Sequence, residues 1–249
     1  MRKVSGVRSS GLTFAPEAGT QRLRDAINKN VFEEDLLRAV NVAFDAGKNL
    51  VKLYFMNGLP TERYEDLDGI ADLASKVVKA FYNNPNRNRY KPITVTVSVS
   101  CFIPKPFTAF QWEAQDTIEE LERKQEYIGS KISDRKIRYQ HHDAKVSRIE
   151  AVLARGDRRL SDVIETAWKK GCKFDGWGEF FDFEEWMQAF GLTGIDPDFY
   201  TARERSYEEV LPWEHLDIGV KKEFFVNENE KAKAASTTPH CRLECSNCG

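Results

Sequence analysis

Ile93-Thr-Val-Thr-Val-Ser-Val-Ser-Cys-Phe102 is the stretch that decides the fold, because β-branched residues alternate in it with small polar ones. Alternation with a period of two is typical of a β-strand, and β-branched side chains favour the extended backbone. Two other runs are β-prone, Asn49–Met56 and the shorter Gly11–Ala15, which we expect Pro16 to stop. The sequence therefore predicts three strands, and Lys136–Tyr139 is a candidate for a short fourth.

Amphipathic helices separate these strands. Apolar residues recur at helical spacing from about Gly19 to Ile27, from Phe32 to Ala46 and from Glu65 to Tyr82, and a further helix is predicted from Glu113 to Gly129. Strands that alternate with helices favour βαβ units, in which the strands are parallel. The sequence thus predicts an α/β fold for its first half.

Helical patterns replace the strands from Arg135 onward. We expect helices at Ala144–Arg155, from about Asp157 to Lys170, and from Leu211 toward Ala235. Between them lies the aromatic and acidic segment Phe174–Trp186, which is typical of a core cluster or a docking surface.

Composition excludes several classes of function. The 249 residues are 41% hydrophobic and carry a formal net charge of −2, so the chain has no overall attraction for nucleic acid or an anionic membrane. No apolar run is long enough to span a bilayer. Cys101 and Cys172 stand alone and are expected to be buried as small hydrophobic residues. A reducing, cytoplasmic location is the expectation that follows.

The last nine residues hold three of the five cysteines, Cys241, Cys245 and Cys248, at C-x3-C-x2-C spacing. Such short linkers let three thiolates converge on one metal centre. The thiolates would hold three corners of an iron–sulfur cluster, or three positions of a tetrahedral zinc with His240 or a more distant group as the fourth ligand. The spacing predicts a metal site and leaves the metal open.

Three blocks of the first half resemble radical S-adenosylmethionine enzymes. Gly11–Asn30 is similar to the family's fourth strand and the helices after it. Leu53-Tyr-Phe-Met-Asn-Gly-Leu-Pro-Thr-Glu62 resembles its fifth strand and the Gly-Leu-Pro-x-Glu turn, and Ser98–Trp112 resembles its sixth strand. The blocks occur in the family's order.

The second half resembles the extension of one subgroup, whose members carry a cobalamin-binding domain ahead of the radical domain. The matching blocks are Ile149–Arg159, Gly171–Trp177 and Leu211–Asp217. The resemblance implies the C-terminal half of a partial (β/α)6 barrel, resembling a TIM barrel, at residues 1–134. A mainly helical extension at 135–235 and a Cys-rich metal-binding tail at 236–249 would follow.

The resemblance also implies cofactor-binding residues at the carboxyl ends of the strands. Glu17 would approach the ribose or the methionine end of S-adenosylmethionine, and Lys29 its methionine carboxylate. Asn57 and Gly58 would meet the cofactor at the end of the next strand. The alternatives are that Glu17 caps the following helix, that Lys29 lies in solvent, and that Asn57-Gly58 forms only a turn.

One departure from the family limits these expectations. The family's cluster-binding C-x3-C-x2-C follows its first barrel strand, and no such motif stands before Cys101. We therefore expect the C-terminal portion of a radical enzyme of unknown substrate, inactive alone. Its partner would be a chain or domain that carries the missing half-barrel with the catalytic 4Fe–4S cluster, and cobalamin is possible in the full-length protein. The alternative is a non-catalytic, zinc-stapled binding module that docks on a partner chain.

Overall fold

The computed structural model of the chain describes residues 11–246 and 248–249, and the first ten residues of the predicted barrel segment lie outside the described residues. The described residues contain four strands and nine helices. In chain order these are β1 (Leu12–Glu17), α1 (Gln21–Ala26), α2 (Glu33–Asp45), β2 (Leu50–Asn57), α3 (Tyr64–Asn83), β3 (Thr94–Cys101), α4 (Ile118–Lys131), β4 (Ile137–His141), α5 (Ala144–Arg155), α6 (Leu160–Lys169), α7 (Phe183–Thr193), α8 (Pro197–Thr201) and α9 (Lys222–Lys233).

The four strands form one parallel sheet in the order β1-β2-β3-β4. The predicted α/β class and the short fourth strand are confirmed. Each strand is connected to the next strand of the sheet by a crossover that contains a helix. Because such crossovers are right-handed, their helices lie on the same side, and α2, α3 and α4 pack on one face of the sheet. Alternate residues of the strands, such as Val51, Val97 and Ile137, point into that core.

The opposite face of the sheet carries polar side chains. Lys52, Tyr54, Arg138 and Gln140 occupy the positions that alternate with the core residues, and Gln140 Nε2 donates to Ser98 Oγ at 3.1 Å. Parallel sheets are normally covered on both faces, so a polar face on such a sheet is unusual. The sequential strand order is also that of a barrel segment.

β1 differs from its prediction. Pro16 was expected to stop this strand, but the strand continues through Pro16 to Glu17. β1 lies at the edge of the sheet, where a residue without an N–H group interrupts no ladder on its open side. The register with β2 shifts between Phe14 and Glu17, which places a β-bulge at the end of the strand.

The connection after β1 lies against the backbone of α3. A Cβ atom on Gly19 would lie 2.2 Å from the carbonyl oxygen of Asp66, and one on Gly69 would lie 2.7 Å from the Gly19 carbonyl group. Thr20 Oγ1 donates to the Asp66 carboxylate in the same contact. Only glycine therefore permits this approach of the two backbones.

The predicted helices of the second half need two corrections. The aromatic segment continues into α7, which sequence reasoning missed; Asp182 caps this helix by accepting a hydrogen bond from Glu185 N at 3.1 Å, and Trp186 enters a buried core. The helix expected from Leu211 begins only at Lys222, because turns follow Leu211 and Gly219 adopts a left-handed φ of 74°.

The described residues form two compact units that interleave along the chain. The sheet unit comprises the described residues up to Cys101, with Leu121–His142 and Lys231–Pro239. The helical unit comprises Phe102–Glu120 and Asp143–Glu230, with the described residues of His240–Gly249. The sequence had predicted consecutive segments that divide at residues 134 and 235. Throughout the described ranges, every helix is too short or too polar to cross a membrane.

We predict that Gly19→Ala destabilises the protein, because the added methyl group forces two backbones apart. The free energy of unfolding should fall by about 2–3 kcal/mol, measured by urea denaturation followed by circular dichroism. Gly191→Ala is the control, since it lies in α7 with open space around its Cβ position, and it should be neutral or slightly stabilising. Equal stability of the Gly19→Ala and wild-type proteins would contradict this close contact.

Candidate functional site

The carboxyl ends of the four parallel strands lie along one edge of the sheet, which we call the carboxyl edge. The strands end there at Glu17, Asn57, Cys101 and His141, and Asn57 pairs with Cys101 in the register. Ligands of open α/β sheets and of barrels bind at this edge, because loops with free choice of side chain follow the strand ends. The predicted residues Glu17, Lys29, Asn57 and Gly58 all belong to this region or contact it.

Glu17 has an unusual backbone. Its φ of 68° lies in the left-handed region, and it follows directly on the bulge of β1. A residue with a side chain adopts this conformation only when its surroundings impose it, at a cost of about 1–3 kcal/mol. Such strain is concentrated at functional sites, and here it fixes the position of a carboxylate at the carboxyl edge.

Lys29 contacts Glu17, with 3.3 Å between Lys29 Nζ and Glu17 Oε1. The end of α1 brings the two together: Asn28 is left-handed at φ 52°, and the N–H groups of Asn28 and Lys29 donate to the carbonyls of Asp25 and Arg24 at 2.9 and 2.8 Å. These two bonds form a Schellman motif, which reverses the chain after the helix. The side chains are 33% (Lys29) and 26% (Glu17) exposed, so solvent reaches the pair.

Asn57 is fully buried at the end of β2. Its Nδ2 donates to the Leu121 carbonyl at 3.2 Å, while its Oδ1 has no hydrogen-bond partner among the described residues. An amide oxygen left in this state costs about 1–3 kcal/mol. Because the side chain is fully buried, a ligand in solvent does not reach it in this conformation, and its bond to Leu121 joins the end of β2 to α4.

Gly58 begins the turn after β2 with a φ of 78°, and its N–H donates to Glu62 Oε1 at 2.8 Å. The same oxygen accepts from Lys124 Nζ at 2.8 Å. The Glu62 side chain is 1% exposed and that of Lys124 is 11% exposed, so this is a buried ion pair. The pair fixes the Gly58–Glu62 turn against α4.

Sequence reasoning missed Lys124. The signal was present in the spacing of α4, where Leu121, Lys124, Gln125 and Ile128 share the buried face. A lysine at a core-facing position requires an anionic partner, since an unpaired buried charge is far too costly. From the sequence, Glu62 was assigned only to the Gly-Leu-Pro-x-Glu turn.

The three tail cysteines are exposed. Across residues 11–246 and 248–249, no three His, Cys, Asp or Glu side chains gather closely enough to hold a metal ion. The donor set itself fits zinc or an iron–sulfur cluster, since three thiols stand within eight residues. The metal site at Cys241, Cys245 and Cys248 therefore stays a prediction.

Hydrogen bonds form between the tail and the residue before α9, and also within the tail. The Cys248 carbonyl accepts from Lys221 N at 2.8 Å, and His240 Nδ1 accepts from Arg242 N at 3.1 Å. While this bond persists, the Nδ1 lone pair of His240 is not available to a metal. Cys101 and Cys172 are buried as predicted, and burial raises the pKa of the Cys172 thiol.

Comparison with known proteins identifies an archaeal protein that is similar to part of the chain. No protein-family profile matches the chain, and no solved structure matches it significantly. An uncharacterized protein of Methanocaldococcus jannaschii is 36% identical over 154 residues, which are 62% of this chain and 32% of that protein. The chain thus covers about a third of the length of this relative.

We predict that anaerobically purified protein contains iron and sulfide near the stoichiometry of one cluster, and that changing Cys241, Cys245 and Cys248 to Ala removes both. The measurement is a combined assay of iron, sulfide and zinc. The matched control changes Cys101 and Cys172, which are buried, and should keep the metal. One zinc per chain, lost in the triple variant, would contradict the cluster and identify a structural zinc site.

Proposed function

We propose that this chain is the C-terminal portion of a radical S-adenosylmethionine enzyme and that its carboxyl edge receives the amino-acid end of S-adenosylmethionine. The observation that carries the proposal is the solvent-accessible ion pair of Glu17 and Lys29 at 3.3 Å, held at the strand ends by a left-handed residue and a Schellman motif. The resemblance of the blocks around Glu17, Gly58 and Ser98 gives the cofactor class.

The charges of the pair complement the amino-acid group of the cofactor. That group carries an α-ammonium and an α-carboxylate close together. Lys29 can donate to the carboxylate while Glu17 accepts from the ammonium, and both contacts are charge-assisted hydrogen bonds. An ion pair that is partly in solvent contributes only about 0–1 kcal/mol, so exchanging it for the ligand requires little free energy.

Other residues hold the carboxyl edge in place. The buried pair of Glu62 and Lys124 holds the turn at Gly58 in one conformation. Gly58 has no side chain, so a flat ligand can approach its backbone. Asn57 is fully buried, so in this proposal it anchors the end of β2 to α4 through its bond to the Leu121 carbonyl.

A reduced 4Fe–4S cluster, when bound, would supply the electron for reductive cleavage of S-adenosylmethionine, and the residues of this chain would bind and orient the amino-acid end of that cofactor. In this proposal a partner chain or domain holds that cluster and the first half of the barrel, and the polar face of the sheet lines the barrel interior. The tail thiols would hold an auxiliary cluster. A full-length protein of this subgroup would also bind cobalamin.

A second candidate is a non-catalytic module, stapled by zinc at the tail, that docks on a partner chain. The backbone bond between the Cys248 carbonyl and Lys221 favours it, since it ties the tail to the helical unit as a staple would. Zinc at the tail together with no affinity for S-adenosylmethionine would select this candidate.

We predict that Lys29→Met weakens binding of S-adenosylmethionine at least about tenfold, because it removes a charge-assisted contact. Calorimetric titration of the full chain gives the dissociation constants. Lys76→Met is the matched control, since it breaks the ion pair of Lys76 with Glu33 on the helices of the same unit and should leave binding unchanged.

A second ligand makes this test specific for the amino-acid end. 5′-Methylthioadenosine keeps the adenosine group and lacks the amino-acid group, so Lys29→Met should not change its affinity. If Lys29→Met lowered the affinity for both ligands equally, or if the wild-type chain did not bind S-adenosylmethionine, the proposed site would be contradicted.

A further inference from the structure

The helical unit contains a cavity of about 320 Å³ that the proposed function does not use. Four aromatic residues line it: Phe107, Trp112, Trp213 and Phe225. Trp112 and Trp213 are almost fully buried, so the inner wall of the cavity is part of the unit's core. Volumes of about 300 Å³ are at the lower end for small-molecule sites.

Gln111 joins two walls of this cavity. Its Oε1 accepts from the indole Nε1 of Trp213 at 2.7 Å and from the backbone N–H of Phe107 at 3.2 Å. Gln111 is 4% exposed, so these bonds form out of contact with bulk water. The positions of both aromatic residues are therefore set before any ligand binds, which lowers the entropic cost of binding.

Two buried arginines fix the segment that carries Trp112. The Arg155 guanidinium donates to the carbonyls of Gln111 at 3.3 Å and Glu113 at 2.7 Å, on either side of Trp112. The backbone N–H of Arg205 donates to the Trp112 carbonyl at 2.7 Å. Burial, together with the nearby Arg205 charge, lowers the pKa of Arg155. The backbone on both sides of Trp112 is thus held by hydrogen bonds from buried residues, which preorganises this wall of the cavity.

Phe107 is strained. Its φ is 56°, in the left-handed region that bulky residues avoid. The strain costs about 1–3 kcal/mol, and the bond from Phe107 N to Gln111 Oε1 helps to maintain it. The Phe107 ring is therefore held in a position that it would not occupy if the backbone of this loop were unstrained.

The chemistry of the walls selects the class of ligand. Aromatic walls favour a flat ring that stacks on or meets them edge to face. The polar lining residues Gln111, His215 and Asp217 suit heteroatoms on the ring edge. Two further lining residues, Glu214 and Lys222, form an ion pair at 2.6 Å and so balance each other's charge. A cationic ligand is less suitable, because the Arg205 guanidinium already lies 5.3 Å from the centre of the Trp213 ring.

From these observations we infer that the cavity is a second binding site, for a planar, uncharged heteroaromatic compound of one or two rings. The site belongs wholly to the helical unit and does not depend on Glu17, Lys29 or the tail cysteines. The wall at Val220 and Lys222 adjoins Lys221, whose N–H holds the Cys248 carbonyl, so the cavity lies beside the tail.

The test uses quinoline as the probe, at neutral pH where it is uncharged, with calorimetry and saturation-transfer NMR on the full chain. We expect a dissociation constant below about 1 mM. Phe225→Leu should weaken binding about fivefold, because it removes one aromatic wall and keeps an apolar residue. Phe224→Leu is the matched control; Phe224 is the preceding residue of α9 and does not line the cavity.

Two further compounds separate the alternatives. Decahydro-2-naphthol has two fused six-membered rings without aromaticity and should bind at least about fivefold more weakly than quinoline. Tetramethylammonium is the cationic probe and should not bind. Equal affinity for decahydro-2-naphthol, preference for tetramethylammonium, no binding of quinoline, or equal effects of the Phe224→Leu and Phe225→Leu changes would each overturn the inference. Thermal unfolding of both variants establishes that they are folded.

Discussion

Parallel pairing of strands that are neighbours in sequence is the constraint on which the sheet unit depends. Each connection must return to the starting edge, so a helix follows each strand and the apolar faces of α2, α3 and α4 cover the same side of the sheet. The same constraint brings all four strand ends, and the polar turns that follow them, to one edge. The left-handed Glu17 and Gly58 lie at two adjacent ends, where the regular ladder no longer determines the backbone.

Two ion pairs near this edge differ in how deeply they are buried, and therefore in the free energy needed to break them. Glu62 and Lys124 are almost completely removed from water, and breaking such a pair costs about 3–5 kcal/mol. Glu17 and Lys29 remain a quarter to a third exposed, and separating them costs about 1 kcal/mol at most. The first pair is therefore a fixed part of the scaffold, and the second can exchange its partners for a charged ligand.

The sequence predicted the regular elements better than their ends. The alternation in β3 and the helical spacing of α3 depend on residue type alone, and both elements lie where they were expected. The prediction that Pro16 stops β1 was wrong, because a proline can lie in a strand at the edge of a sheet without interrupting a ladder. Whether a strand is at an edge is a property of the sheet and not of the local sequence. The start of α9 was placed too early because apolar spacing does not show the local turns after Leu211, nor the left-handed Gly219, whose N–H donates to Asp217 Oδ1 at 2.8 Å.

For the site, the family resemblance selected Glu17 and Lys29, and the structure adds that they contact each other. That contact depends on the chain reversal at Asn28, a local feature that residue types only suggest. The spacing of α4 could have indicated that Lys124 is buried, but its partner Glu62 and the aromatic cavity could not be predicted, because the residues involved lie far apart along the chain.

We propose that the carboxyl edge binds the amino-acid end of S-adenosylmethionine, and amide NMR of the metal-free, isotope-labelled chain can detect this binding residue by residue. We expect S-adenosylmethionine to shift the backbone signals of Ala18, Lys29 and Gly58, and to leave those at the amino end of β3, such as Thr94, unchanged. Shifts confined to the helical unit, or shifts at Thr94 as large as those at Gly58, would contradict it.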